Sequence, residues 1–254
     1  MDRDLKDKFQ RLWAEYFPRA ELPIAFYYTD DAAGLERAPE PHEHHCVIAD
    51  LRPVRKGESL CCGVSSLGCQ GAKRYFGFSQ VLMPGFEHFL SCGIPGKLEG
   101  ERYKKSPEIV LELMKNAPVF VAPKQFIVFK RWDGLEDDDS PEAVIFFARP
   151  DVLSGLFTLS GFDEADPHAV VAPFSAGCGS IVQYPCLEQA KERPRAVLGM
   201  FDVSARPCVP SDLLTFAAPI KKFAVMVGNM DESFLGTPSW EKVLKRISRE
   251  DSLP

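Results

Sequence analysis

Apolar residues recur at helical spacing near the start of the chain. Over residues 3–17, Leu5, Phe9, Leu12, Trp13 and Tyr16 alternate with charges, and Pro18 ends the run, which predicts an amphipathic helix. PIAFYY (23–28) predicts a strand, and the polar stretch 29–45 a loop. CVIADL (46–51) reads as a second short strand. GAKRYFGF (71–78) turns helical before Gly77, and MPGFEHFLSCG (83–93) makes a short helix stopped by Gly93. SPEIVLELMKNAP (106–118) is a helix with Ser106 as cap and Pro107 in its first turn. QFIVFKRW (125–132) and AVIFFA (143–148) are strands, and the acidic run between them reads as a solvated hairpin tip. Pro150 opens a helix, RAVLGMFDV (195–203) and DLLTFAA (212–218) are strands, and IKKFAVMVGNM after Pro219 is a helix. SWEKVLKRIS (239–248) is the last helix, capped by Ser239.

Strands and helices mix without strict alternation, so the expected class is α+β, or mixed α/β, with a mixed sheet flanked by helices. The 254 residues suit one compact domain over 1–254. The Gly-, Pro- and Asp-rich stretch 161–176 marks a place where two packed halves would join.

Composition narrows the function classes. The net charge of −6 argues against nucleic acid or an anionic membrane as partner, since both need a basic footprint. No apolar run approaches the roughly 18 residues of a membrane helix, and no signal-peptide core is present, so the chain reads as cytoplasmic. Eight cysteines in that setting are expected as reduced thiols.

The thiols carry the candidate chemistry. SLCCGVSSLGCQGAKRYFGF (59–78) holds Cys61, Cys62 and Cys69 among glycines. Glycine touches Cys62, Cys69, Cys92 and Cys178, whereas 18 glycines in 254 residues place about one of eight cysteines there by chance. Glycine lets backbone approach a sulfur and aim N–H groups at it. No C-x-x-C occurs, so zinc-ribbon, ferredoxin and thioredoxin patterns are missing, and any ligand set must be collected from dispersed positions. The plain alternative is buried core thiols, which Cys186 and Cys208 suit best. PHEHHC (41–46) adds His42, His44 and His45 as further donors, or simply as a solvated cluster. Cys69 with Lys73 and Arg74 one helical turn downstream is a candidate nucleophile, although no orienting partner can be assigned. GCGSIV (177–182) lacks the last glycine of a dinucleotide fingerprint, and GVSSL (63–67) lacks that of a nucleophile elbow.

The strings HHCVIADLRPVRKGESL, GCQGAKRYFGF, ERYKKSPEIV, GCGSIVQYP and LGMFDVSARPCVPSDLLTFAAPIKKF occur in this order. Together, over about residues 20–235, they resemble the domain of unknown function 169 family. The resemblance implies a prokaryotic, cytosolic, single-domain protein of mixed fold with no biochemical function attached. It moves Cys46, Cys69 and Cys178 ahead of the other cysteines. It also draws attention to Lys73, Arg74, Arg102 and Arg206, which lie inside the resembling strings.

The leading expectation is a thiolate metal centre, an iron–sulfur cluster first and zinc second. Its ligands would be Cys46, Cys69 and Cys178, with Cys62 as fourth and Cys92 or a loop histidine next in line. It would serve redox or small-molecule chemistry with a redox partner. The alternative is a metal-free binding module or enzyme for a small anion held by Lys73, Arg74, Arg102 and Arg206.

Overall fold

The computed structural model describes residues 1–248. In chain order it runs α1 (Arg3–Tyr16), β1 (Ile24–Thr29), α2 (Val47–Arg55), β2 (Ser59–Cys62) and α3 (Gln70–Tyr75). Next come α4 (Phe86–Phe89), α5 (Pro107–Asn116), β3 (Phe126–Arg131), β4 (Ala143–Ala148), α6 (Pro150–Ser160) and β5 (Val170–Val171). The chain closes with α7 (Tyr184–Gln189), β6 (Ala196–Gly199), β7 (Leu214–Pro219), α8 (Ile220–Asn229) and α9 (Pro238–Ile247). The fold is α+β with a single open sheet.

The seven strands lie in the order β2-β3-β1-β4-β7-β6-β5. All neighbours pair antiparallel except β5 with β6. β3 and β4 do not form the expected hairpin: β1 lies between them, pairing Phe26 with Phe129 on one side and with Ala143 on the other. The acidic run is therefore part of a connection. Within it the buried Asp139 carboxylate accepts from Lys130 Nζ at 3.0 Å, so it is only partly a solvated tip. Strands from both sides of 161–176 join this one sheet, and β5 lies inside that stretch.

Both faces of the sheet are covered, and side chains alternate between them with the period of two that a pleated strand imposes. Ala25, Val144, Phe146, Phe216 and Ala218 meet α1, α6, α8 and α9 through Phe9, Trp13, Leu156, Phe223 and Trp240. Ile24, Phe26, Ile127, Phe129, Ile145, Val197 and Ala217 face the opposite way, toward α2, α3 and the helical run before α7. All six residues of β4 are buried, which is why AVIFFA reads as a continuous apolar run.

CVIADL is not a strand. Val47, Ile48, Leu51 and Val54 are the buried residues of α2, an i, i+1, i+4, i+7 stripe that continues through Pro53. The proline falls in the last turn and costs α2 the helical bond its N–H would make to the Ala49 carbonyl. α9 begins two residues earlier than expected: Thr237, not Ser239, is its cap, with Oγ1 accepting from the Trp240 N–H.

Candidate functional site

Four cysteine-bearing segments meet on the α2/α3 side of the sheet. Cys46 immediately precedes α2 and Cys69 immediately precedes α3. Cys178 lies in the first turn of a helical run over 177–189, which is π-helical at Gly179–Gln183. Cys208 ends a 3-10 turn at Arg206–Cys208. The first amides of a helix have no intrahelical partner, so N–H groups lie at the ends that carry Cys46, Cys69 and Cys178. π-Helical turns are rare and frequently lie at functional sites.

Glycines bring the segments together. A Cβ on Gly68 would lie 2.8 Å from Pro41 Cγ and 2.9 Å from the Glu43 carbonyl oxygen, so the turn before Cys69 sits directly on the loop leading to Cys46. A Cβ on Gly179 would stand 2.1 Å from Ser175 Oγ and 2.8 Å from the Tyr75 ring, so α3 packs against the turn of Cys178. A Cβ on Gly177 would meet the Ala205 methyl at 3.0 Å, which joins Cys178 to the segment of Cys208. At each point hydrogen in place of a side chain permits the approach.

Asp202 and Arg206 hold the fourth segment. Asp202 accepts from the Gly177 N–H at 3.1 Å and from the Ser204 hydroxyl at 2.8 Å. Arg206 donates to the carbonyls of Leu213 at 2.6 Å, Ser211 at 2.8 Å and Pro210 at 3.3 Å.

The electrostatics follow from burial and from the thiols' proximity. Burial pushes the Cys46 thiol up to about 11; the nearby Ile48 amide pulls it down, and its neighbours Cys208 and Cys69 raise it further. Burial holds the Cys178 thiol well above its ordinary value, reinforced by Cys69, Cys46 and Asp202. Both shifts favour the neutral thiol, the less nucleophilic form. Ser175 Oγ, beside this turn, is buried without a hydrogen-bond partner among the described residues. Phe174, Phe201 and Val203 are exposed on the segments that carry Cys178 and Cys208, and Lys104 Nζ lies 3.7 Å above the Phe174 ring.

The segments of Cys46, Cys69 and Cys178 thus lie against one another, and the segment of Cys208, which the sequence reading assigned to the core, lies beside that of Cys178. Cys62 is elsewhere: it is fully buried in β2, and its charge-coupled neighbours are Asp50 and Cys61. Its glycine serves the strand end, where a Cβ on Gly63 would lie 3.2 Å from the Phe126 ring. Cys92 is exposed, and Cys61 is buried in a small cluster with Tyr27, Ala32 and Val128. Of the loop histidines, His42 and His44 are exposed and His45 Nε2 pairs with Asp50 at 2.6 Å.

The basic residues do not build an anion pocket. Arg206 is engaged with three backbone carbonyls, and Arg74 donates to the Gln80 carbonyl at 3.0 Å. Arg102 is exposed at a left-handed backbone position with φ 56°, and Lys73 is half-buried on α3. A cavity of about 240 Å³ is lined by Trp13, Phe146, Val152 and Leu213 with Glu21, Asp212, Arg19 and Arg149, and by none of the four expected cations.

Among the described residues, no group of three or more His, Cys, Asp or Glu side chains is set to hold a metal ion. The expected iron–sulfur or zinc centre thus has no formed ligand shell here. None of the described helices is long and apolar enough to cross a membrane.

The sequence model of the domain of unknown function 169, described as uncharacterised ArCR, matches residues 18–229. The chain belongs to this family. The match takes in every strand and all four clustered cysteines. No curated protein and no solved structure is matched. The family's description attaches no activity, so function must be argued from the site.

Proposed function

We propose that Cys46, Cys69, Cys178 and Cys208 form a soft-metal site, with an iron–sulfur cluster as first occupant and zinc as second, serving redox or metal-assisted small-molecule chemistry. The observation that carries this reading is the meeting of four cysteine-bearing segments, three with the cysteine at the start of a helical turn and the fourth with Cys208 at the end of one, brought close at Gly68, Gly177 and Gly179. The donor set suits such a group: four sulfurs match the ligand number of tetrahedral zinc and of common iron–sulfur clusters. The buried, unpartnered Ser175 hydroxyl supplies a polar group beside it. When bound, the metal supplies electron transfer or Lewis acidity, and the protein's part is to hold the sulfurs, donate amides to them and limit water. Binding requires the thiols to lose protons and to draw inward from their present spacing. Eight free cysteines suit a reducing compartment, which supports a cytoplasmic site of action.

Single Cys→Ser variants at 46, 69, 178 and 208 test the ligand set. Each is expected to lose most of the bound metal per chain, while Cys62→Ser and Cys92→Ser retain it. Retention in Cys208→Ser together with loss in Cys62→Ser would restore the sequence-based ligand set and refute this one.

A further inference from the structure

Where β4 runs into α6 lies the cavity of about 240 Å³. It has room for a small molecule, since a protein cavity of about 150 Å³ accepts benzene. Among the described residues, the buried side chains of Trp13, Phe146, Val152 and Ile247 build its apolar wall. Its lining also carries both signs of charge. Arg19, Glu21 and Asp212 are exposed and Arg149 is half-buried, which places these four at the mouth. The charges are held in position. Arg149 Nε donates to Asp212 Oδ2 at 2.7 Å, and Arg19 Nη1 to the Ser248 carbonyl at 2.8 Å. Glu21 accepts twice from Arg55 at 2.8 Å, and Arg55 lies 4.7 Å from the centre of the Phe147 ring. Arg19 holds φ 69°, a left-handed position that costs energy in any residue but glycine, and such strain gathers at ligand clamps.

We propose that this cavity binds a free hydrophobic α-amino acid of the size of leucine or phenylalanine. A mouth with two cations and two anions over an apolar wall matches a ligand that carries one charge of each sign and an apolar side chain. The ligand carboxylate accepts from Arg149 and Arg19. A guanidinium has five N–H donors in a fork, so each arginine serves its protein partners and the ligand together. The ligand ammonium donates to Asp212 and Glu21. An ionised carboxyl offers about four acceptor sites, so each accepts from an arginine and an ammonium at once. The ligand side chain lies against Trp13, Phe146 and Val152 and leaves water. None of the eight cysteines lines the cavity, so this site stands apart from the metal reading.

The test is isothermal titration of the full chain with L-leucine and L-phenylalanine, with glycine, N-acetyl-L-leucine and L-leucinamide as controls. Saturable binding of leucine or phenylalanine is expected. Glycine lacks the apolar side chain, the acetyl derivative the ammonium and the amide the carboxylate, and each is expected to bind about tenfold or more weakly. Asp212→Asn and Arg149→Ala, at the mouth, are expected to keep the wild-type circular dichroism spectrum and to weaken leucine binding by about tenfold or more. Val152→Trp fills the cavity and is expected to abolish binding; should that variant fail to fold, the two mouth variants decide. No saturable binding of leucine or phenylalanine in the millimolar range would overturn the inference. So would glycine or either derivative binding as tightly as leucine, or undiminished binding by both mouth variants.

Discussion

The Gly177 N–H donates to the Asp202 carboxylate at 3.1 Å, and this bond ties the turn of Cys178 to the loop that carries Cys208. Asp202 also accepts from the Ser204 N–H and hydroxyl, and its carbonyl receives the Ala205 and Arg206 amides. Asp202→Ala leaves the Gly177 amide without its acceptor and frees the loop. We expect a loss of about 1–3 kcal/mol, the usual cost of an unsatisfied buried partner. Denaturant titration measures the loss. A thiol reagent should also label Cys178 faster than in the wild type, and unchanged labelling would mean that Asp202 does not fasten the two segments.

Gly179 and Gly228 make a matched pair of tests. A methyl at 179 collides with Ser175 Oγ and the Tyr75 ring, while a methyl at 228 meets nothing within 4 Å. Gly179→Ala should therefore cost about 1–3 kcal/mol through overpacking. Gly228→Ala, on the exposed side of the last turn of α8, should gain about 0.4–1 kcal/mol by narrowing the unfolded ensemble. Thermal melts of both variants check the signs, and equal effects would contradict the close approach of α3 to the Cys178 turn.

Gly155 gives the same kind of test on the opposite face. A Cβ there would lie 2.4 Å from the Trp240 ring and 2.8 Å from the Phe17 ring. These are rigid aromatics, and Phe17 and Trp240 meet edge to face at 5.1 Å between centroids. Gly155→Ala should destabilise by about 1–3 kcal/mol despite alanine's higher helix propensity. The thiol site should keep its labelling pattern, because it lies on the other side of the sheet.

Much of this architecture is legible from the chain, for identifiable reasons. AVIFFA reads as a strand because β4 is buried on both faces, and SPEIVLELMKN reads as a helix from its proline and periodicity. CVIADL misleads because six residues are too few to separate a strand from half a helical stripe. Strand order is not legible, since the pairing of β1 with both β3 and β4 is set by contacts distant in sequence. Glycine adjacency finds Cys69 and Cys178 because those glycines mediate segment contacts. It misleads at Cys62, where Gly63 only clears Phe126. Cys208 has no glycine neighbour and stands between prolines, so that signal passes over it. Its placement comes from the Asp202 and Arg206 contacts, which join residues 7 to 25 positions apart.

Glu188 sets an acid limit on the fold. Burial alone would raise its carboxyl, but bonds from Arg195 and Lys191 outweigh this and hold it below the ordinary value. Its side chain is 4% exposed, with Arg195 Nη2 at 2.7 Å and Lys191 Nζ at 2.6 Å. A carboxyl depressed in the folded state contributes stability above its unfolded value near 4.5 and loses it as pH falls through the folded value. Glu188→Gln should cost about 1–3 kcal/mol at neutral pH. Its stability should fall less steeply than the wild type's below about pH 4.5. Parallel slopes for the two proteins would show that Glu188 is not the controlling group.

The most direct measurement is metal and acid-labile sulfide analysis, with an absorption spectrum, on protein purified without air. The account predicts iron and sulfide in near-stoichiometric amounts, with absorption near 400 nm that disappears in Cys46→Ser and Cys208→Ser. Zinc without sulfide would keep the four-thiol site and remove electron transfer. Eight free thiols with no metal in anaerobically purified protein, and none taken up on reconstitution with iron and sulfide or with zinc, would contradict the central claim.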